Sequence, residues 1–271
     1  MRAIATDLDG TLFDHHSRVS PRAVDAIGVA RAAGIEVIAA TGRSRFTAVE
    51  RLAEVAEHLH VVCSNGSCVV DPRSGDIVMS WPISSGEISR VVDAAATAVG
   101  GLVWAWEGPQ SLGRNPLFPV AGLDGLGAVD PIDALPSELD IAWAPKLMVA
   151  HPEHDPETLW RLLVPHVGGD VSVTISGGPF VELTAKGVSK ARGVAWVCDS
   201  LGIAAHEVVA LGDHANDVEL LRWAGVGLAM AGSHAEAVAV ADRVIGAHEL
   251  DGWAIEVERL VAATAAVKTV D

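Results

Sequence analysis

Basic residues are scarce in this chain: 19 lysines and arginines stand against 35 aspartates and glutamates, for a formal net charge of -16 over 271 residues. So acidic a chain repels nucleic acid and anionic lipid unless a strong basic patch gathers somewhere, and none is visible, so no nucleic acid and no membrane is expected as a partner. Cysteine is also sparse. Cys63, Cys68 and Cys198 are odd in number and lack metal-type pairing, which points to buried thiols rather than to a disulfide framework or a zinc site. No run approaches the roughly 18 uninterrupted apolar residues of a membrane helix. The opening MRAIATDLDGT meets acidic residues where a signal peptide would need an apolar stretch, so a cytoplasmic location is expected. What is plentiful is apolar surface: 50% of the residues are hydrophobic, enough at this length to bury a substantial core.

Short apolar stretches alternate with amphipathic ones. Residues 4–6 read as a strand, Ser20-Pro21 as the N-cap and first position of a helix that Gly34 ends, and 35–40 as a second strand. A helix over 44–59 and a strand over 60–63, running into Asn65-Gly66, complete a βαβαβ pattern, hence a parallel sheet. The alternation returns after about residue 187: helix 189–201, strand 208–211, helix 217–223, strand 226–230, helix 234–241, strand 243–245 and a last helix after Gly252. Between Trp81-Pro82 and Ala185-Lys186-Gly187 the texture changes to Gly and Pro with scattered tryptophans. There, strands are expected at 102–106, 147–150, 171–175 and 180–183, helices at 88–99 and 156–164, and no regular structure over 108–136. The expected fold is α/β: a Rossmann-like parallel-sheet core from residues 1–82 and 186–271, with an inserted α/β cap domain over 83–185.

Acidic residues follow two of the core strands, where a doubly wound sheet places its active site. Asp7 and Asp9 stand in DLDGT after the first strand, Asp213 and Asp217 in GDHAND after strand 208–211, and Thr41 and Gly42 in ATGR after the second strand. Two carboxylates about 4 Å apart repel by roughly 4 kcal/mol at an effective dielectric of about 20, so converging acids need a cation. All-oxygen ligands favour a hard ion, and Mg²⁺, which keeps waters and accepts a phosphate oxygen, fits a site with few protein ligands; no His or Cys stands at zinc spacing. A phosphoryl group on that ion also needs positive charge and aligned donors. Lys190 in KGVSK, at a helix start, can supply the first, and the Thr41 hydroxyl the second.

In order, DLDGT, ATGR, SNG, GVSK and GDHANDVELL resemble the signature motifs of the haloacid dehalogenase superfamily. The resemblance is strongest to subfamily IIB, the Cof-type sugar-phosphatase-like hydrolases, and spans nearly the whole core; the cap carries almost no motif. After Met230 the family's usual Gly-Asn is replaced by Ala231, Gly232 and Ser233.

The resemblance implies that Asp7 is the nucleophile, forming an aspartyl-phosphate, and that Asp9 is the acid and base. Mg²⁺ would be held by Asp7, the Asp9 backbone carbonyl, Asp213, and Asp217 directly or through water. Thr41, Gly42, Lys190 and Asn216 would serve the phosphate, with Asn65 nearby. The implied function is hydrolysis of small phosphorylated metabolites, sugar phosphates foremost. The alternatives are a phosphosugar mutase of the phosphomannomutase type and a silent phosphometabolite-binding protein. Lys186 is the rival for the lysine role but reads as a solvated loop residue. His151 and His154 read as loop, His214 as a spacer, Trp104, Trp106 and Trp143 as cap packing, and Arg114, Lys146 and Glu182 as surface groups. Oligomeric state has no signature in the sequence.

Overall fold

The computed structural model describes residues 1–14, 16–120 and 129–268, and the chain separates into two compact units, Met1–Val78 with Lys190–Asp271, and Met79–Ser189. Part of the segment expected to lack regular structure, 121–128, lies outside the described residues.

In the first unit, β1 (Ala3–Thr6) is followed by α1 (Pro21–Ala32), β2 (Glu36–Ala40), α2 (Arg45–Leu52), β3 (His60–Cys63), β4 (Cys68–Val70) and β5 (Ile77–Ser80). Ser20 caps α1 by accepting from the Ala23 N–H, with Pro21 at the first position, where its missing donor costs nothing. The helix expected over 44–59 is shorter: α2 stops at Leu52, and a 3₁₀ turn, Ala56–His58, completes the path to β3. Val55, Ala56 and Leu59 are still buried. Apolar spacing reported which side chains face the core, and the backbone meets that demand with a tighter turn.

In the second unit, β6 (Ile83–Ser84) leads into α3 (Ser85–Ala98), β7 (Val103–Glu107), β8 (Leu112–Arg114), β9 (Trp143–Ala144), β10 (Lys146–Ala150), α4 (Pro156–Val167), β11 (Val171–Thr174) and β12 (Val181–Ala185). The order β11-β12-β10-β7-β8 makes a five-stranded antiparallel sheet. On one face Trp104, Trp106, Leu147 and Leu183 pack with Ile88 and Val91 of α3 and Leu159 and Leu163 of α4, so these two tryptophans are packing residues, as expected.

Two expectations fail in this unit. Part of the stretch given no regular structure forms β8, paired with β7, and Gly113 lies there because a Cβ would come within 2.2 Å of the Trp106 ring. Lys146 and Glu182, read as surface groups, are 4% and 1% exposed and joined at 2.5 Å. Strand alternation puts both on the face opposite the helices, alongside Met148, and that face is buried too, with Ala105, Phe118, Met148 and Phe180 clustered on it. A buried lysine is tolerable only with such a partner.

The chain then adds α5 (Lys190–Ser200), β13 (Val208–Gly212), α6 (Val218–Trp223), β14 (Val226–Met230), α7 (Ala235–Val240), β15 (Arg243–Ile245) and α8 (Gly252–Lys268) to the first unit. The completed sheet runs β15-β14-β13-β1-β2-β3-β4-β5, parallel from β15 through β3, with β4 antiparallel to β3. This is the α/β parallel-sheet core expected from the alternation. β1 lies between β13 and β2, in register from Ala3 opposite Val208 to Thr6 opposite Leu211. The motif loops after β1, β13 and β2 therefore emerge side by side, at the point where strand order reverses. Among the described residues no helix is long and apolar enough to cross a membrane, and all three cysteines are buried.

Candidate active site

Asp7 is held by its backbone before its side chain does anything. Its N–H donates to the Leu211 carbonyl at 2.9 Å, and its carbonyl accepts from the Thr6 hydroxyl at 2.7 Å. That hydroxyl in turn accepts from the Trp253 indole at 2.8 Å, so α8 reaches the first residue after β1 through one buried relay. The turn then passes through Gly10 at φ +80°, where an added Cβ would lie 2.4 Å from Asp213 Oδ2. Gly10→Ala should therefore both strain the turn and displace Asp213. The expected result is a stability loss of about 1 kcal/mol or more, read by thermal melting.

The loop after β13 is built around Asp217. Its Oδ2 accepts from the backbone N–H groups of Asp213 and His214, each at 3.0 Å, while its Oδ1 accepts from Lys190 Nζ at 2.7 Å. Lys190, the first residue of α5, also donates to Asp7 Oδ1 at 2.5 Å. Asp213 accepts from the Thr11 hydroxyl at 3.2 Å. Carboxylate oxygens of Asp7, Asp213 and Asp217 lie within 4.8 Å of one another, and Asp7, Asp217 and Lys190 are buried.

Three carboxylates thus face one ammonium. Burial, aided by the charges of Asp217, Asp213 and Asp9, raises Asp7 well above the ordinary carboxylate range despite Lys190. Burial and Asp217 raise Asp213 as well. Burial alone would lower Lys190, but Asp217 and Asp7 outweigh it and hold the ammonium charged. A group of acids that strains to keep its protons, offering only oxygens, fits a hard dication, which would let the acids ionise together.

Thr41, directly after β2, is buried, and its hydroxyl oxygen accepts from the Arg43 N–H at 3.0 Å, which leaves its hydrogen to donate elsewhere. Gly42 lies between them. Asn65, left-handed at φ 54°, donates its backbone N–H to the Thr41 carbonyl at 3.0 Å. Its side-chain oxygen accepts from Asn216 Nδ2 at 2.9 Å, so the loops after β2, β3 and β13 are tied together. Asn65 Nδ2 and Asn216 Oδ1 are buried without a hydrogen-bond partner among the described residues, an arrangement that a polar ligand would complete.

Asp9 differs from the other acids. Its side chain is 49% exposed and turns to Arg43 rather than to Lys190. Lys186, the rival lysine, is exposed, belongs to the other unit, and donates to the Gly168 carbonyl. Reading the sequence missed Thr11 and Arg43; each stands inside a motif, as the T of DLDGT and the R of ATGR, but neither residue type by itself signals a role.

The sequence model of the haloacid dehalogenase-like hydrolases matches residues 4–256. A phosphoglycolate phosphatase of Natronomonas pharaonis is 30% identical over 257 residues, covering 94% of this chain and 96% of its own. The 5-amino-6-(5-phospho-D-ribitylamino)uracil phosphatase YbjI of Escherichia coli is 26% identical, covering 93% of both chains. Among solved structures, the haloacid dehalogenase subclass IIB sugar phosphatase BT4131 superposes with a TM-score of 0.81 at 20% identity, covering 96% of this chain and 99% of its own.

Proposed function

The chain belongs to the haloacid dehalogenase-like hydrolases, and from that premise we propose that it is a phosphatase of their Cof-type IIB branch, hydrolysing small phosphorylated metabolites, sugar phosphates foremost, with Mg²⁺ and through a phosphoryl-aspartate on Asp7. The observation that carries this reading is Asp7 Oδ1 held 2.5 Å from the buried Lys190 ammonium, inside a cluster of acids.

Asp7 attacks phosphorus as the ester oxygen departs, and Asp9 gives that oxygen its proton. Asp9 then takes a proton from the water that attacks the phosphoryl-aspartate, which frees Asp7 and inorganic phosphate and restores the acid. The Thr41 hydroxyl and the Gly42 loop donate to phosphoryl oxygens, and Lys190 neutralises charge beside Asp7. Asn216, with Asn65, closes the same side through its amide. The bound Mg²⁺ would supply charge neutralisation for the nucleophile and the phosphoryl group, held by Asp7, the Asp9 carbonyl and Asp213. Both Asp217 oxygens already accept protein hydrogen bonds, which favours its acting through water. The middle unit is proposed as the cap that chooses the leaving group. The relatives' names, a phosphoglycolate phosphatase and a ribitylaminouracil phosphatase among them, support small phosphomonoesters as the class.

The test is a phosphate-release screen over phosphorylated sugars, nucleotides and cofactors, with and without Mg²⁺, joined to trapping of the phosphoenzyme. Expected are Mg²⁺-dependent release from small esters and a hydroxylamine-labile protein-bound phosphate; isomerisation needing a bisphosphate activator, or no release from any ester, would refute the reading.

The raised acids also give a pH signature. In the range above the usual aspartate value of 3.8, the folded chain holds protons on Asp7 and Asp213 that the unfolded chain has lost. Stability without Mg²⁺ should therefore fall as pH rises through that range. Mg²⁺ binds the ionised acids, so its stabilisation should grow with pH and reach about 2.7 kcal/mol at a hundredfold excess over Kd. Melting temperatures between about pH 4 and 8, with Mg²⁺ or with chelator, measure both trends; a Mg²⁺ effect that shrinks with rising pH would contradict them.

A further inference from the structure

Asp9 stands at the exposed tip of the turn after β1, where an aspartate side chain is free to change rotamer. It does not stand alone: Arg43 Nε donates to Asp9 Oδ2 at 2.7 Å and Arg43 Nη2 to Oδ1 at 2.6 Å, a two-pronged grip that fixes a carboxylate in its plane. The fork is itself secured. Nη2 also donates to Ser17 Oγ at 2.8 Å, and the guanidinium carbon lies 5.5 Å over the ring of the fully buried Phe13. Its backbone N–H donates to Thr41 Oγ1 at 3.0 Å, and its carbonyl accepts from the Ser64 N–H at 2.9 Å. One residue thus braces the phosphate-binding turn after β2 and the acid–base carboxylate after β1.

We propose that Arg43 is a positioning residue that holds the Asp9 carboxylate in the orientation from which it exchanges protons with the leaving oxygen and with the attacking water. Arg43 gives up no proton and touches no reacting atom. One prong opens when Asp9 carries its proton, and the Ser17 and Phe13 contacts keep the guanidinium in place meanwhile. The assignment rests on the phosphatase reading and on Asp9 as its acid–base group, and it adds a residue through which neither proton passes.

The two proton transfers are separable by leaving group. p-Nitrophenolate departs without a proton, so its release in the first turnover reports attack by Asp7 alone, whereas steady-state turnover also needs Asp9 to activate water. The full chain, Arg43→Ala and Arg43→Lys are compared at saturating Mg²⁺ on p-nitrophenyl phosphate and on a sugar phosphate hydrolysed by the wild type. In Arg43→Ala, steady-state kcat is expected to fall by about 10²-fold on the sugar phosphate, the low end of what a positioned acid–base group contributes. With p-nitrophenyl phosphate a fast first-turnover burst should persist and phosphoenzyme should accumulate. Guanidinium ion added to Arg43→Ala should restore part of the loss. Arg43→Lys, which keeps the charge but not the fork, should show the same burst, and it carries the test if the alanine variant does not fold.

A rise in KM at unchanged kcat would make Arg43 a phosphate ligand and overturn the proposal. A burst slowed as much as the steady state, or a faster variant, would overturn it as well. A wild type that releases phosphate from neither ester sinks the phosphatase reading and this proposal together, whereas an active wild type with any of the earlier outcomes sinks this one alone.

Discussion

Asp7→Asn should lower phosphate release on the order of 10⁴-fold or more, the scale seen when an enzyme loses its nucleophile, and should remove the hydroxylamine-labile phosphoenzyme. The substitution keeps the shape of the side chain, so the Asp7 N–H bond to Leu211 and the carbonyl bond from Thr6 should remain. It removes the ionising group that burial and three neighbouring acids strain against. Without Mg²⁺ the variant should therefore melt no lower than the wild type, since sites of this kind trade stability for function. With Mg²⁺ its gain in melting temperature should be smaller, because one of the proposed ligands is lost. Inactivity together with unfolding would leave the loss unassigned to chemistry, so circular dichroism and Mg²⁺ titration belong beside the assay. Unchanged activity would falsify the nucleophile role.

Lys190→Ala should be the most damaging single change to stability and should also slow turnover. It removes the ammonium that pairs with Asp7 and Asp217 at 2.5 and 2.7 Å, stranding two buried carboxylates, and breaking such a pair from one side costs about 3–5 kcal/mol. Turnover should fall by about 10²–10³-fold or more in the fraction that folds, comparable to losing an oxyanion donor. Because Mg²⁺ can offset some of the stranded charge, the melting defect should narrow as Mg²⁺ is raised. Pairing Lys190→Ala with Asp217→Asn should recover part of the stability but not the rate, since the two residues interact directly and their effects should not add. Lys186→Ala, by contrast, removes an exposed side chain that holds one carbonyl in the other unit, and its effect on turnover should be within a few-fold. Reversal of this ranking would identify the wrong lysine as the one beside the nucleophile.

The motif residues were legible because each stands in a short run after an apolar strand, and strand alternation foretold a parallel sheet whose carboxyl ends carry function. Residue type argues for placing Lys146 and Glu182 at the surface, and only the pairing of β10 with β12 brings them together inside. A three-residue strand such as β8 is too short to show a period, and the helix expected over 44–59 overruns α2 because periodicity is blind to the difference between an α turn and a 3₁₀ turn. Arg43 was in plain view in ATGR, yet its target, 34 residues earlier, is set by how the turn after β1 folds against the turn after β2.

By itself the sequence determined the α/β alternation, the acids after two strands, the threonine after a third and the lysine at a helix start, all of them consequences of local spacing. The tertiary structure decided which charges meet: that Lys190 bridges Asp7 and Asp217, that Asp217 spends its second oxygen on backbone N–H groups, and that Asp9 faces Arg43. The reason is physical. Spacing along a chain fixes which face of an element a residue occupies, but Coulomb energy and hydrogen bonding depend on distances between elements, and those exist only once the strands are laid side by side.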